Sequence, residues 1–183
     1  MNNIYAIIGP PGCGKTTLLK EMLPIFDIDE IVSHTTRDKR KGEEEGITYY
    51  YVNKSDWGNF NFLEEVEREG NFFGLTKGEI EDTLDNNEDA IVIVDKYGLE
   101  QLKNLYPNKT ISIYIYALPA ECQARMKERG DSPDKIKDKM AEAYNGGEFD
   151  NHDIADYIIS NHNGFFMTSK ISLMSIIRRD KEC

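Results

Sequence analysis

Gly9-Pro10-Pro11-Gly12-Cys13-Gly14-Lys15-Thr16 is a complete G-x-x-x-x-G-K-[ST] stretch, and each residue type in it has a use around phosphate. Glycines let the backbone turn tightly and bring its N–H groups to phosphate oxygens. The N-terminus of a following helix adds partial positive charge. A lysine at Lys15 reaches β- and γ-phosphates, and a hydroxyl at Thr16 reaches the Mg²⁺ that accompanies them. Pro10, Pro11, Cys13 and Thr17 complete the stretch that would surround the triphosphate. An ordinary Gly/Pro turn has a similar composition, so the flanks decide. Ile4 to Ile8 is an apolar run suited to a buried strand, and Leu18, Leu19, Met22 and Leu23 recur at helical spacing before Pro24. Strand, loop and helix together indicate a nucleoside triphosphate site.

A second set of candidates is basic. Arg37, Lys39, Arg40 and Lys41 place four cations in five positions of a polar stretch running from His34 to Gly42. The chain has 33 acidic and 22 basic residues and a net charge of −11, so such a cluster points to phosphate binding, for which guanidinium forks are suited. A solvated charged turn is the alternative. Arg125 and Arg129 stand four apart on one helical face, and Lys135, Lys137 and Lys139 follow the break Gly130-Asp131-Ser132-Pro133. Two basic helices about such a break suit a mobile lid over phosphates, although a charged hairpin with no such role reads the same. Asp95 ends a β-branched run, where acids of α/β sites sit. Cys13, Cys122 and Cys183 form no C-x-x-C pair, and His34, His152 and His162 form no zinc pattern. Cys13 reads as a small residue tolerated in the loop, with oxidation as the alternative.

These residues need elements to hold them. Strands are expected at Asp27–Ser33, Ile47–Val52, Ala90–Asp95, Thr110–Tyr116 and Asp156–Ser160. Helices are expected at Phe62–Gly70 (ended by its glycine), Gly78–Asn87, Gly98–Tyr106, Ala120–Arg129, Asp134–Tyr144 and Phe165–Arg178, with a short turn at Ser55-Asp56-Trp57. Strands alternate with helices and nothing repeats, which gives an α/β domain with a parallel core sheet and a strand-rich insertion at 34–88. The length of 183 residues fits one domain. No apolar run approaches the roughly 18 residues of a membrane span, and no basic region precedes an apolar stretch at the start, so a cytoplasmic location is expected. The negative surface disfavours nucleic acid and anionic membrane and favours a free nucleotide.

Taken in order, the motifs resemble those of guanylate kinases, within the nucleoside monophosphate kinases, from the loop to about Asn161. Ser33-His34-Thr35-Thr36-Arg37-Asp38-Lys39-Arg40-Lys41-Gly42-Glu43 is similar to the family's S-x-T-T-R-x-x-R-x-G-E. Gly46-x-x-Tyr49, Phe62-Leu63-Glu64, Gly70-Asn71-Phe72-Phe73-Gly74 and Arg125-x-x-x-Arg129-Gly130 follow in register. The resemblance implies the P-loop nucleoside triphosphate hydrolase fold: a core of 1–33 and 89–183, a nucleotide-monophosphate-binding subdomain at 34–88, and a helical lid at about 125–145. It implies ATP with Mg²⁺ as donor and GMP or dGMP as acceptor. Arg37, Arg40 and Tyr49 would hold the acceptor phosphate near Phe73 and Gly74. Ser33, Glu64 and Asp95 would read guanine, with Thr76 beside its carbonyl. Lys15, Arg125, Arg129 and Lys139 would neutralise charge on the transferring phosphoryl group. Asn161 falls where the family has an asparagine near ATP's adenine.

The departures are as specific as the matches. Phe72-Phe73 replaces two tyrosines, Leu75 a serine or threonine, Ile93 the first acid of Asp-x-Asp, and Lys139 an arginine. Each hydrogen bond lost is worth roughly 0.5–1.5 kcal/mol, so looser guanine selectivity with phosphoryl transfer retained is expected. Two alternatives stay open at this level: a kinase of another nucleotide or phosphorylated sugar, and a non-catalytic guanylate-kinase-like module that binds phosphopeptides. Intact Lys15 and Thr16 favour an enzyme.

Overall fold

The computed structural model describes residues 2–26, 28–40, 42–86 and 89–181; Asp27, Lys41, Asn87 and Cys183, named above, lie outside them. Along the chain run β1 (Ile4–Ile8), α1 (Lys15–Met22), β2 (Asp29–Glu30), β3 (His34–Thr35), β4 (Tyr50–Tyr51), β5 (Phe62–Arg68), β6 (Asn71–Thr76), α2 (Lys77–Asn86), β7 (Ala90–Ile93), α3 (Lys96–Leu105), β8 (Thr110–Tyr116), α4 (Pro119–Glu128), α5 (Pro133–Asn145), β9 (Tyr157–Ser160) and α6 (Phe166–Lys181). A five-stranded sheet has the order β2-β7-β1-β8-β9, with β2 parallel to β7 and β8 parallel to β9. Every residue of β1 is buried, which a continuous apolar run requires when helices cover both faces of a parallel sheet. This is the α/β architecture expected.

Two compact units divide the chain: Met1–Ile4, Asp27–Val92 and Tyr97–Thr110 form one, and Tyr5–Phe26, Ile93–Lys96 and Ile111–Cys183 the other. The second holds the loop after β1, together with α1, α4, α5 and α6. Leu18, Leu19 and Met22 of α1 are buried, as are Cys122 and Met126 of α4. The first holds a four-stranded sheet in the order β4-β3-β6-β5, in which β3 and β5 run antiparallel to β6 and β4 parallel to β3. One face of that sheet is aromatic. Trp57 stacks on Phe62 with ring centroids 4.1 Å apart and on Phe72 at 5.6 Å, and His34 lies 4.8 Å from both Tyr50 and Phe60.

Three expectations are corrected here. Phe62–Gly70 is not a helix but the strand β5, paired with β6 from Phe62↔Thr76 to Arg68↔Asn71. Its glutamates favour helix weakly, and the β-forming Phe72 and Phe73 opposite, with the Trp57 stack, override them. Gly70 closes a hairpin instead of capping a helix: Glu69 and Gly70 have φ of 52° and 70°, the two-residue turn that matches strand twist. Ile47–Val52 contributes only Tyr50–Tyr51 to the sheet. Its front half is held in turns by Gly46 N–H donating to the Tyr49 carbonyl (3.0 Å) and Glu44 N–H donating to the Thr48 hydroxyl (3.1 Å). The expected strand at Asp27–Ser33 shrinks to Asp29–Glu30, with Ile31 N–H still donating to the Ile91 carbonyl at 2.8 Å.

Candidate functional site

The loop of residues 9–14 has a shape that only glycine permits at three positions. Gly9, Gly12 and Gly14 have φ of 147°, 78° and 102°. A Cβ would meet the Ile115 carbonyl oxygen at 2.2 Å on Gly9, the Cys122 carbonyl oxygen at 2.6 Å on Gly12, and Asn161 Nδ2 at 2.4 Å on Gly14. Lys15 folds back over the loop, its Nζ donating to the carbonyls of Gly9 (2.5 Å) and Pro10 (3.1 Å). Thr16 and Thr17 are exposed in the first turn of α1, whose N-terminal N–H groups the loop presents. Pro10 is buried and Pro11 half-buried along the loop. The Cys13 thiol is wholly buried, and burial raises its pKa despite neighbouring Lys15, as suits a small packed residue.

Two residues expected to face the nucleotide are bound to this loop. Asn161 is 3% exposed, and its Nδ2 donates to the Cys13 carbonyl at 2.8 Å. Arg125 donates from one terminal nitrogen to the same carbonyl (3.1 Å), and from the other to the Asn161 carbonyl (2.7 Å) and Asn163 Oδ1 (3.0 Å). Glu121 ties the start of α4 to the same stretch, accepting from Asn163 N–H at 2.8 Å and meeting His162 Nδ1 at 2.9 Å. These bonds, with partly opposing burial, bring its pKa down to about 2. Val94 N–H donates to the Ile7 carbonyl and Asn161 N–H to the Tyr116 carbonyl, so Asp95, the loop and Asn161 all leave the sheet at its carboxyl edge, where α/β proteins bind ligands.

Arg129 and Lys139 form a separate cluster. Asp131 in the turn between α4 and α5 accepts from Arg129 and lies 3.5 Å from Lys139 Nζ. The Arg129 bonds hold the Asp131 carboxyl below its usual range. Among the described residues, no group of three His, Cys, Asp or Glu side chains is placed to hold a metal ion.

In the first unit, Arg37, Tyr49 and Phe73 come together. Arg37 donates to both carboxylate oxygens of Glu43 (2.8 and 3.0 Å) and to the Asp38 carbonyl (2.7 Å), and lies over the rings of Tyr49 and Tyr51 at 5.6 and 5.9 Å. Tyr49 meets Phe73 at 5.8 Å, so the missing hydroxyl is replaced by a ring contact. Phe73 pairs with Thr35 and Val66, and Leu75 with Glu64, which puts Phe73, Leu75, Glu64 and Val66 on one face, opposite the Trp57 stack. Leu75 itself is fully buried. Gly74 is obligatory, since a Cβ there would meet the Phe62 ring at 2.6 Å. The Thr76 hydroxyl is taken up locally, accepting from Glu79 N–H as the cap of α2 at 3.2 Å. Ser33 is half-buried and its carbonyl accepts from Tyr50 N–H. The Arg40 side chain is exposed while its backbone N–H donates to Glu43 at 2.8 Å.

Glu43 and Tyr51 were not among the residues singled out, yet they organise this cluster. Burial would raise the Glu43 carboxyl, but the Arg37 guanidinium, the Arg40 N–H and the Tyr51 hydroxyl (2.8 Å) bring it down to about 2. Burial and that same carboxylate push Tyr51 up to about 12. The available signals were the glutamate closing the motif after Arg37 and a tyrosine two residues beyond Tyr49, on the same strand face.

The comparisons with known proteins agree along the chain. A family profile described as "Guanylate kinase" matches residues 1–172. The guanylate kinase of Vibrio parahaemolyticus is 34% identical over 189 residues, spanning 97% of this chain and 88% of that protein. That of Pseudomonas fluorescens is 36% identical over 167 residues, spanning 86% and 79%. The crystal structure of a guanylate kinase from Anaplasma phagocytophilum superposes with a TM-score of 0.69 at 24% identity, covering 98% of this chain and 86% of the other, which supports the fold.

Proposed function

The chain belongs to the guanylate kinase family, and we propose that it transfers the γ-phosphoryl group of ATP to GMP or dGMP. The observation that carries this reading is the sheet face of the first unit opposite the Trp57 stack. There Arg37, braced by Glu43 and two tyrosines, reaches the small sheet through the contact of Tyr49 with Phe73, on the face that also carries Glu64. A carboxylate suits the N1–H and N2–H₂ donors of guanine, and adenine lacks that pair of donors. Ser33 and Asp95 are the remaining candidates for the base, and Arg37, Arg40 and Tyr49 for its phosphate.

For the donor, the loop keeps its phosphate-binding shape through three glycines whose Cβ atoms would collide with the Ile115 and Cys122 carbonyls and the Asn161 amide packed against it, and Lys15 supplies charge beside it. The donor set also fits Mg²⁺. Among the described residues no cluster of protein ligands forms, so the ion would be held by the Thr16 hydroxyl and the nucleotide's own phosphates, whose charge it would neutralise. An ionised oxygen of the acceptor phosphate attacks the γ-phosphorus while the bond to the β–γ bridging oxygen breaks and ADP leaves. No strong base is required, so the protein's work is positioning and charge. Lys15, Arg129 and Lys139 meet the charge on the transferring group, with Asp131 holding the last two in readiness.

Phe73 and the buried Leu75 favour looser base selectivity as a second feature of the same reaction. ADP release with Mg²⁺-ATP against GMP, dGMP, AMP, CMP, UMP and dTMP tests both. Highest turnover with GMP and dGMP, and lower but measurable turnover with another base, is expected; a preferred acceptor of another base, or none, would overturn the reading.

A further inference from the structure

We infer that Asn161 and Arg125 are positioning residues for the donor triphosphate, acting through the peptide between Cys13 and Gly14. The inference rests on the proposed use of ATP and goes beyond it to the device that shapes its site. The Cys13 carbonyl accepts two side-chain bonds from distant parts of the chain, 2.8 Å from Asn161 Nδ2 and 3.1 Å from Arg125. In a trans peptide the carbonyl and the following N–H point in opposite directions. Two donors that hold the Cys13 carbonyl outward therefore aim the Gly14 N–H into the loop, as a phosphate oxygen needs.

The surroundings are built for this one peptide. Gly14 has φ of 102°, and a Cβ on it would come within 2.4 Å of the Asn161 amide, so glycine is what lets that amide reach its acceptor. Arg125 also donates to the Asn161 carbonyl at 2.7 Å, closing a triangle of Cys13, Arg125 and Asn161. The Asn161 amide donates to the Cys13 carbonyl from Nδ2, while its Oδ1 is buried and has no hydrogen-bond partner among the described residues. A residue that gives its buried amide to a loop carbonyl is tuned to the loop's shape, not to reading a base.

The test is direct binding of Mg²⁺-ATP and of GMP, separately, by calorimetry to the full chain and to Asn161→Ala, Arg125→Met and Arg125→Lys. Melting temperature is followed in each. Loss of one buried hydrogen bond predicts an ATP Kd raised about tenfold in Asn161→Ala, with GMP affinity within about twofold of wild type. Arg125→Lys, which keeps one donor, should fall between wild type and Arg125→Met. Unchanged ATP affinity in folded Asn161→Ala, or equal losses for ATP and GMP, would overturn the inference. A wild type that binds ATP but phosphorylates no acceptor would overturn the proposed reaction and leave this inference standing.

Discussion

Arg37 is charged, half-buried and already paired, which fixes what its removal does. Its Nη2 bonds to both Glu43 oxygens, its Nη1 bond to the Asp38 carbonyl and its seat over Tyr49 and Tyr51 hold the guanidinium in place before any ligand arrives. Arg37→Ala should therefore raise the acceptor KM by one to two orders of magnitude, on the order of 1.5–3 kcal/mol, with a smaller change in kcat. Arg129→Ala should do the reverse, because its charge, held by Asp131 in the turn between α4 and α5, is the one we assign to the moving phosphoryl group. Steady-state kinetics on both variants checks the split; equal effects on kcat alone would contradict it. Glu43 adds a dependence on acid. Its pKa of about 2 in the folded chain lies below its ordinary 4.5, so its contribution to stability is complete above about pH 4.5 and is lost as pH falls towards 2. Glu43→Gln should lower stability at neutral pH and flatten the acid limb of a melting-temperature profile between those values.

At the scale of elements, the hairpin joining β5 and β6 carries a cost that a substitution can relieve. Glu69 sits at φ 52°, a region L residues enter at roughly 1–2 kcal/mol and asparagine more cheaply. Glu69→Asn should therefore raise the melting temperature, by up to about 1 kcal/mol in stability, and Gly70→Ala should lower it. The same hairpin shows where sequence reading stops. The loop after β1 was legible because its chemistry is local: glycines, lysine and threonine in one run, strand before and helix after. β5 was not, because Glu64, Glu65, Glu67 and Glu69 read as helix formers until Phe72, Phe73 and Trp57 are brought against the strand. Arg37 and Tyr49 were found through their motif, whereas Glu43 and Tyr51, their immediate partners, were passed over. Asn161 and Arg125 were named, but not their bonds to Cys13, which join residues 148 and 112 positions apart. No periodicity reports such a bond.

At the scale of the molecule, the residues assigned to the donor and most of those assigned to the acceptor belong to different compact units, so each ligand should stabilise its own unit first. Hydrogen exchange should slow in residues 34–76 on adding GMP and around residues 9–17 and 161 on adding ATP; protection that ignores this division would argue against the assignment. The chain has a single tryptophan, and it is Trp57, stacked on Phe62 and Phe72 with its indole N–H on Glu65 at 2.8 Å. The molecule thus carries one indole fluorophore beside its ten tyrosines, packed against the small aromatic sheet. Its emission is a private optical channel for that unit: a shift in colour during denaturation, ahead of the loss of helical dichroism, would report the small sheet melting while the rest of the fold is still assembled.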